Sequence, residues 1–196
     1  MNLDSHYLLT DAAQLREHYA QPNKAVVQKQ IDCLDMYARR LIALSPFMIF
    51  GTLGAAGIDC SPKGGEPGFV HVEDDKTLLL PDRSGNNRLD GLGNILQNPF
   101  VGMLFLIPGW KEAFRVNGRA QISVDPALCR RFAQDDRPAK SVIVIRVDEV
   151  FIHCGRAIGF ADLWNSDKHA DSALIPGALE IFKAHVALSA AAAEKV

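Results

Sequence analysis

Three short stretches of this sequence concentrate hydroxyl, amide and cationic side chains beside glycine in a way that suits a small anionic ligand. The first, Asp59-Cys60-Ser61-Pro62-Lys63-Gly64-Gly65-Glu66-Pro67-Gly68, places a hydroxyl and a lysine just ahead of glycines that let backbone come close to a ligand. A plain surface loop has much the same composition. The second, Leu80-Pro81-Asp82-Arg83-Ser84-Gly85-Asn86-Asn87-Arg88-Leu89, runs straight into a helical pattern. A helix start offers free N–H groups and partial positive charge, and arginine adds a planar, forked donor set; both suit a phosphate. A capped turn explains one of the two asparagines but not the whole cluster. In the third, Phe114-Arg115-Val116-Asn117-Gly118-Arg119-Ala120, strict alternation puts Arg115, Asn117 and Arg119 on one face of a strand. That face is either solvated or the wall of a site.

Other chemistries lack their signatures. The sequence has no GxGxxG, no GxxxxGK[ST], no HExxH and no GxSxG. Its six histidines (His6, His18, His71, His153, His169, His185) form no close pair at ligand spacing, so no metal site is expected. Cys33, Cys60, Cys129 and Cys154 form no CxxC pair and read as reduced, mostly buried thiols of a cytoplasmic protein.

The elements around these stretches read mainly as β. A helix is expected after Thr10, acting as its cap, and a second, long one from Pro22 to Ser45-Pro46, with Val27, Ile31, Leu34, Ala38 and Leu41 along one face. Residues 47–53 and 58–61 read as a hairpin around Gly54-Ala55-Ala56-Gly57. Further strands are expected at 70–72, 77–80, 101–107, 113–123 and 141–154, with short helices at 89–96 and from Asp125-Pro126 to Phe132. A last helix spans 176–196. Strands and helices do not alternate regularly, so an antiparallel barrel with helical additions fits better than a doubly wound sheet.

At 196 residues, 48% hydrophobic and 22% charged, the chain suits one domain with a real core: helices over 1–45, a barrel core over 47–164 and a terminal helix over 174–194. A net charge of −2 leaves no broad cationic surface for nucleic acid or an anionic membrane, so any anion must be held by a few local charges. The first residues, MNLDSHYLLTDAAQ, lack the basic and apolar regions of a secretory signal. The uncharged run 41–58 is broken by Ser45-Pro46, Gly51, Gly54 and Gly57 and is not read as a membrane span.

The runs SPKGGEPGFV, LLLPDRSGNNRLDGLGNILQNPFVGMLFLIPG and RVNGRAQIS resemble the pyridoxamine 5′-phosphate oxidase-like FMN-binding proteins, over about 47–164. The resemblance implies an α+β fold built on a six-stranded antiparallel split β-barrel. It also implies a homodimer with FMN at the subunit interface and an oxidoreductase acting on a small molecule; the alternative is a non-catalytic flavin-binding or sensing module. By position it implies that Ser61, Pro62 and Lys63 border the flavin and its phosphate, and that Leu80, Pro81 and Asp82 approach the ring through their backbone. Asn86, Asn87 and Arg88 take the place of the usual basic pair at the phosphate, and Arg115 and Asn117 come from neighbouring strands or the other subunit. Arg156 and Trp164 correspond to a basic residue and a tryptophan that close over the cofactor, although Trp164 suits a core position equally well. Pyridoxamine phosphate oxidases proper end in an arginine-rich strand, whereas this chain ends in Leu179-Glu180-Ile181-Phe182-Lys183-Ala184-His185 and an alanine-rich tail. The resemblance therefore carries the cofactor and leaves the substrate open.

Overall fold

The computed structural model describes residues 2–83 and 85–193. The chain forms two compact units, Met1–Gly155 and Arg156–Val196. The first is built on one antiparallel sheet in the order β2-β1-β5-β6-β7-β4-β3, with β1 Phe47–Gly54, β2 Gly57–Gly64, β3 His71–Val72, β4 Thr77–Asp82, β5 Phe100–Leu106, β6 Ala113–Ser123 and β7 Ser141–His153. Among the described residues there are seven strands where the family resemblance implies six, the extra one being the two-residue β3 paired with β4. The sheet is open, with β2 and β3 as its two edges.

Period-two alternation sorts the faces of the sheet. Met48, Phe50 and Thr52 of β1, Val101, Met103 and Phe105 of β5, and Phe114, Val116 and Ala120 of β6 are buried on the inner face. β7 follows with Val142, Ile143, Ile145, Val147 and Val150, all buried. This run is apolar because both faces of β7 are covered: Ile143, Ile145, Val147 and Val150 lie in the main core, while Val142 packs with Leu79, Cys129, Phe132 and Ala139. The β6–β7 register shifts at Asn117/Gly118, where a side chain on Gly118 would run into the carbonyl oxygen of Arg146.

The N-terminal region departs from the expected long helix. Between α2 (Lys24–Gln28) and α3 (Met36–Leu44) the backbone turns to the sheet. The Ile31 N–H donates to the Val150 carbonyl at 3.0 Å, the Val150 N–H donates back to Ile31 at 2.7 Å, and the Leu34 N–H donates to Asp75 at 2.8 Å. Asp35 then starts α3 afresh by accepting from the Ala38 N–H at 2.8 Å. The apolar stripe is real but split: Leu34, Ala38 and Ile42 are core, whereas Val27 and Ile31 are exposed. In α1 (Ala12–His18) the cap is Asp11 rather than Thr10, and the Gln14 side chain accepts from the Thr10 N–H at 2.9 Å.

Two short helices brace the sheet. α4 (Asp90–Gln97) lies on β1, and its Asn94 amide donates to the buried Thr52 hydroxyl at 3.1 Å. Gly54 leaves room for that side chain. α5 (Pro126–Arg131) opens on the expected Asp125-Pro126 cap, and Arg131 grips Glu73 through two hydrogen bonds of 3.0 and 2.6 Å. Of the four cysteines only Cys129 is fully buried; Cys60 and Cys154 are exposed and all four are unpaired.

The second unit holds α6 (Arg156–Phe160), two 3-10 turns (Ser166–Lys168 and Ser172–Leu174) and α7 (Ala178–Ala193), which falls within the expected terminal helix. Among the described residues no single helix is long and apolar enough to cross a membrane.

Candidate functional site

β2 is an edge strand whose inward positions are polar. Register pairs Asp59 with Thr52, Ser61 with Phe50 and Lys63 with Met48, so these side chains share the face on which their β1 partners are 3%, 1% and 0% exposed. In a closed barrel that face would be core. Here it borders a cavity of about 410 Å³. Phe50 and Ile143 form the cavity's apolar floor. Asp59, Ser61 and Lys63 line one side, Asp82 and Lys140 another, and residues 85–92 complete the wall. A second cavity, about 540 Å³, lies along Pro62–Phe69, Leu80–Arg83, His71, Phe132 and Gln134. The two cavities share Lys63, Asp82, Arg83 and Gly85. Each falls in the size range of small-molecule sites.

The loop ahead of α4 is shaped by its own amides. Asn86 accepts from the Arg88 N–H at 3.1 Å, and Asn87 and Leu89 take left-handed backbone angles, φ 59° and 62°. Asparagine tolerates that region; leucine does so at a cost. Leu89 occupies the helix-capping position and makes no side-chain capping bond, and the opening turn of α4 lines the cavity. Gly91 allows the helix to sit close to β2: a side chain there would meet the Asp59 carboxylate at 3.3 Å.

Four cations face the first cavity (Lys63, Arg83, Arg88, Lys140), against three carboxylates (Asp59, Asp82, Asp90). Arg88 is exposed and held by Asp90, with Nε 2.7 Å from Oδ2; that bond, with Asp59 nearby, raises its already high pKa. Lys140 reaches the Asn87 side-chain oxygen at 3.4 Å, and its N–H donates to the Asp82 carbonyl at 3.0 Å. Among the described residues Lys63, Arg83 and Lys140 take part in no ion pair. The arrangement can hold a small phosphorylated molecule, with the cations and the helix start toward the phosphate and the apolar floor against a flat ring.

The structure brings together most of the residues singled out in the sequence. Ser61, Lys63, Asp82, Asn86, Asn87 and Arg88 line the first cavity, and Pro62, Lys63, Leu80, Pro81 and Asp82 the second. Arg115 and Asn117 do not line either. They stand on the outer face of β6, where Arg115 Nε donates to the Asn117 oxygen at 3.2 Å and Asn117 donates to Glu149 at 2.8 Å. Arg115 also lies over the Phe151 ring, 5.4 Å from its centroid. Gln30 donates to the other Glu149 oxygen. Asn117 borders a shallow concavity of about 500 Å³ lined by Gly51, Gly102, Leu53, Ile58 and Phe100 among others. Arg156 and Trp164 belong to the second compact unit. Lys140, Phe50, Ile143 and Asp90 were not singled out, and Asp59 appeared only as the first residue of the 59–68 stretch. The hairpin register announces Phe50 and Asp59, whereas Lys140 enters only through the pairing of Asp82 with Ser141.

The fold and the site define a class: an α+β protein with one open antiparallel sheet and a cationic pocket at the gap beside its edge strand. Residues 34–154, more than half of the chain, match the pyridoxamine 5′-phosphate oxidase family model, and the chain belongs to that family. Solved structures with a TM-score of 0.50 agree on the fold. HupZ of Group A Streptococcus, as a single-residue variant, superposes with a TM-score of 0.50 at 22% identity, covering 61% of this chain and 98% of that one. A candidate pyridoxamine 5′-phosphate oxidase from Lactobacillus delbrueckii gives 0.50 at 19% identity over 62% and 95%. An FMN-binding protein from Syntrophomonas wolfei gives 0.45 at 12% identity over 59% and 82%. No curated protein matches the chain significantly.

Proposed function

We propose that this protein is an FMN-binding oxidoreductase acting on a small molecule, working as a cytoplasmic homodimer. The observation that carries the reading is the convergence of Lys63 from β2, Arg83 and Arg88 from the loop before α4, and Lys140 ahead of β7 around a cavity floored by Phe50 and Ile143. These segments are far apart in sequence, and a solvated loop has no need to gather them.

The residues present fit a flavin mononucleotide. Bound there, the flavin supplies the redox chemistry by taking up and passing on a hydride or electron pair. The chain's own work is to bind and orient it. Lys63, Arg88 and Lys140 would hold the phosphate together with the opening turn of α4, Ser61 and Asn87 would add neutral hydrogen bonds, and the backbone at Leu80-Pro81-Asp82 would border the ring. Charge-assisted hydrogen bonds contribute roughly 1.5–3 kcal/mol each, so three supply about 5–9 kcal/mol. Association costs at least ~4 kcal/mol, so ring burial must add several more to reach micromolar affinity, about −8 kcal/mol.

The dimer is supported by the outer face of the sheet. Ile49, Leu104 and Leu106 are only half-buried there, Leu53, Ile58 and Phe100 are exposed, and Gly51 and Gly102 leave a furrow between them. Arg115 and Asn117 stand on this face, in position to serve a second copy rather than their own cavity.

The visible spectrum of the purified protein, with and without added FMN, tests the cofactor. A flavin band retained through gel filtration is expected, and a protein that stays colourless and ignores FMN refutes the reading. Anaerobic reduction by NAD(P)H or candidate substrates, followed by reoxidation in air, separates an enzyme from a flavin-binding module. A monomer by sedimentation refutes the dimer.

A further inference from the structure

The second cavity, about 540 Å³, has a chemical character of its own. Lys63 and Arg83 reach it against Glu66 and Asp82, and of these four only Glu66 is not shared with the first cavity. The Glu66 side chain is exposed and takes part in no ion pair among the described residues. A phosphate in the first cavity draws on the shared cations, which leaves the second with an excess of negative charge.

The floor and walls of this cavity are held in place by bonds within the protein. Leu80 and Phe132, both buried, give it an apolar floor. The His71 ring meets that of Phe132 edge-on, with centroids 4.9 Å apart and planes at 69°. These rings come from distant parts of the sequence. The paired hydrogen bonds between Arg131 and Glu73 tie the two segments together, one residue from Phe132 and two from His71. The loop that carries Glu66 is equally fixed. Its Gly65 N–H donates to the Pro46 carbonyl at 3.0 Å, its Gly68 N–H to the carbonyl of buried Ser45 at 3.3 Å, and the Phe69 N–H to the Glu66 carbonyl at 3.0 Å. A side chain on Gly65 would stand 3.0 Å from that of Phe69. A preformed space with aromatic walls and one uncompensated carboxylate suits a flat organic ring.

We propose that the second cavity receives the organic reactant, and that this reactant is a heteroaromatic ring carrying positive charge and no phosphate of its own. The inference rests on the FMN reading above and names the class of molecule that meets the cofactor. Leu80, Pro81 and Asp82 line this cavity, so a ring seated on Phe132 and Leu80 lies beside the stretch assigned to the flavin. Its positive end turns toward Glu66. A phosphorylated reactant is disfavoured, because the cations it needs already face the FMN phosphate and Glu66 repels it.

The test titrates three pyridine rings of similar size into FMN-loaded protein by calorimetry at low ionic strength: 1-methylnicotinamide (a cation), nicotinamide (neutral) and nicotinate (an anion). Wild type should bind them in that order, with the cation ahead of the neutral ring by about 2- to 5-fold, the value of pairing with an exposed carboxylate. Glu66→Lys, a change at an exposed position, should reverse the order. His71→Ala should weaken all three several-fold and leave the order as in wild type. FMN affinity should stay the same in both variants, and pyridoxamine should bind wild type at least as tightly as pyridoxamine 5′-phosphate. The proposal is overturned if wild type binds none of the rings, prefers nicotinate or prefers the phosphorylated amine, or if Glu66→Lys keeps the wild-type order. An FMN loss in His71→Ala equal to the loss for the pyridines overturns it too, because it puts the flavin ring itself in this cavity. If wild type binds no FMN the cofactor reading fails by itself, and the same titrations on flavin-free protein in phosphate buffer still decide what the second cavity takes.

Discussion

Replacing Lys63 by methionine isolates the phosphate's share of binding. Lys63 is half-buried, faces inward opposite Met48, and is shared by the two cavities. Methionine keeps an unbranched, flexible stem, so the strand and its packing should survive and stability should stay within about 0.5 kcal/mol. What is lost is one ammonium toward the phosphate, about 1.5–3 kcal/mol, or roughly 10- to 160-fold in FMN affinity. The control is riboflavin, which has the same ring and no phosphate: its affinity should not change. Quenching of flavin fluorescence measures both ligands in one assay. Equal FMN affinity in variant and wild type would remove Lys63 from the site. An equal loss for riboflavin would place the ammonium against the ring and refute the orientation with the phosphate toward Lys63.

Asp90→Asn should tighten FMN binding several-fold by fluorescence titration, since it frees Arg88 and removes a negative charge from the cavity wall. Phe105→Ala, at a fully buried position with its ring 6.3 Å from that of Phe114, should cost about 3–5 kcal/mol in chemical denaturation and lower the melting temperature by roughly 6–20 °C. Asp35→Ala removes the cap that restarts α3 and should cost about 0.5–2 kcal/mol, whereas a helix running unbroken through residue 35 would lose nothing. The Arg119 guanidinium, hydrogen-bonded to Asp148, holds that carboxyl below its ordinary value. A lowered folded-state pKa stabilises above the ordinary value near 3.9 and loses that contribution as pH falls through the lowered one. Arg119→Gln should therefore show a small stability deficit at pH 7 that closes below about pH 4 in acid-unfolding curves.

Local chemistry made much of the fold legible. β6 occupies the residues its alternation predicts, the Asp125-Pro126 cap starts α5, and Gly54–Gly57 turns the first hairpin. The long N-terminal helix failed because its evidence was periodicity alone. Val27, Ile31, Leu34, Ala38 and Leu41 keep helical spacing, yet hydrogen bonds from Ile31 to β7 and from Leu34 to the β3–β4 turn, with Asp35 as a new cap, outweigh continuation of the helix. The asparagines before α4 were legible as a polar cluster but not as a loop whose capping position falls to a left-handed leucine. Lys140 was invisible for a different reason: its place depends on β4 pairing with β7 across more than fifty residues of sequence.

The site exists because the sheet does not close. Asp59, Ser61 and Lys63 repeat every second residue on β2, in register with three core residues of β1. Burying that polar row in a finished barrel would strip water from a carboxylate and an ammonium for which no ion pair is formed among the described residues, a cost of several kcal/mol per ion. β2 therefore ends the sheet, and the first cavity spans from it to Asp82 of β4 and Ile143 of β7. The polar row that forbids closure is also the row available to a ligand, so the same alternation sets both the edge of the fold and the wall of the pocket. Arg115 and Asn117 obey the same rule on the opposite face. Their alternation aims them away from their own cavity, so any part they take in cofactor binding requires a second copy of the chain.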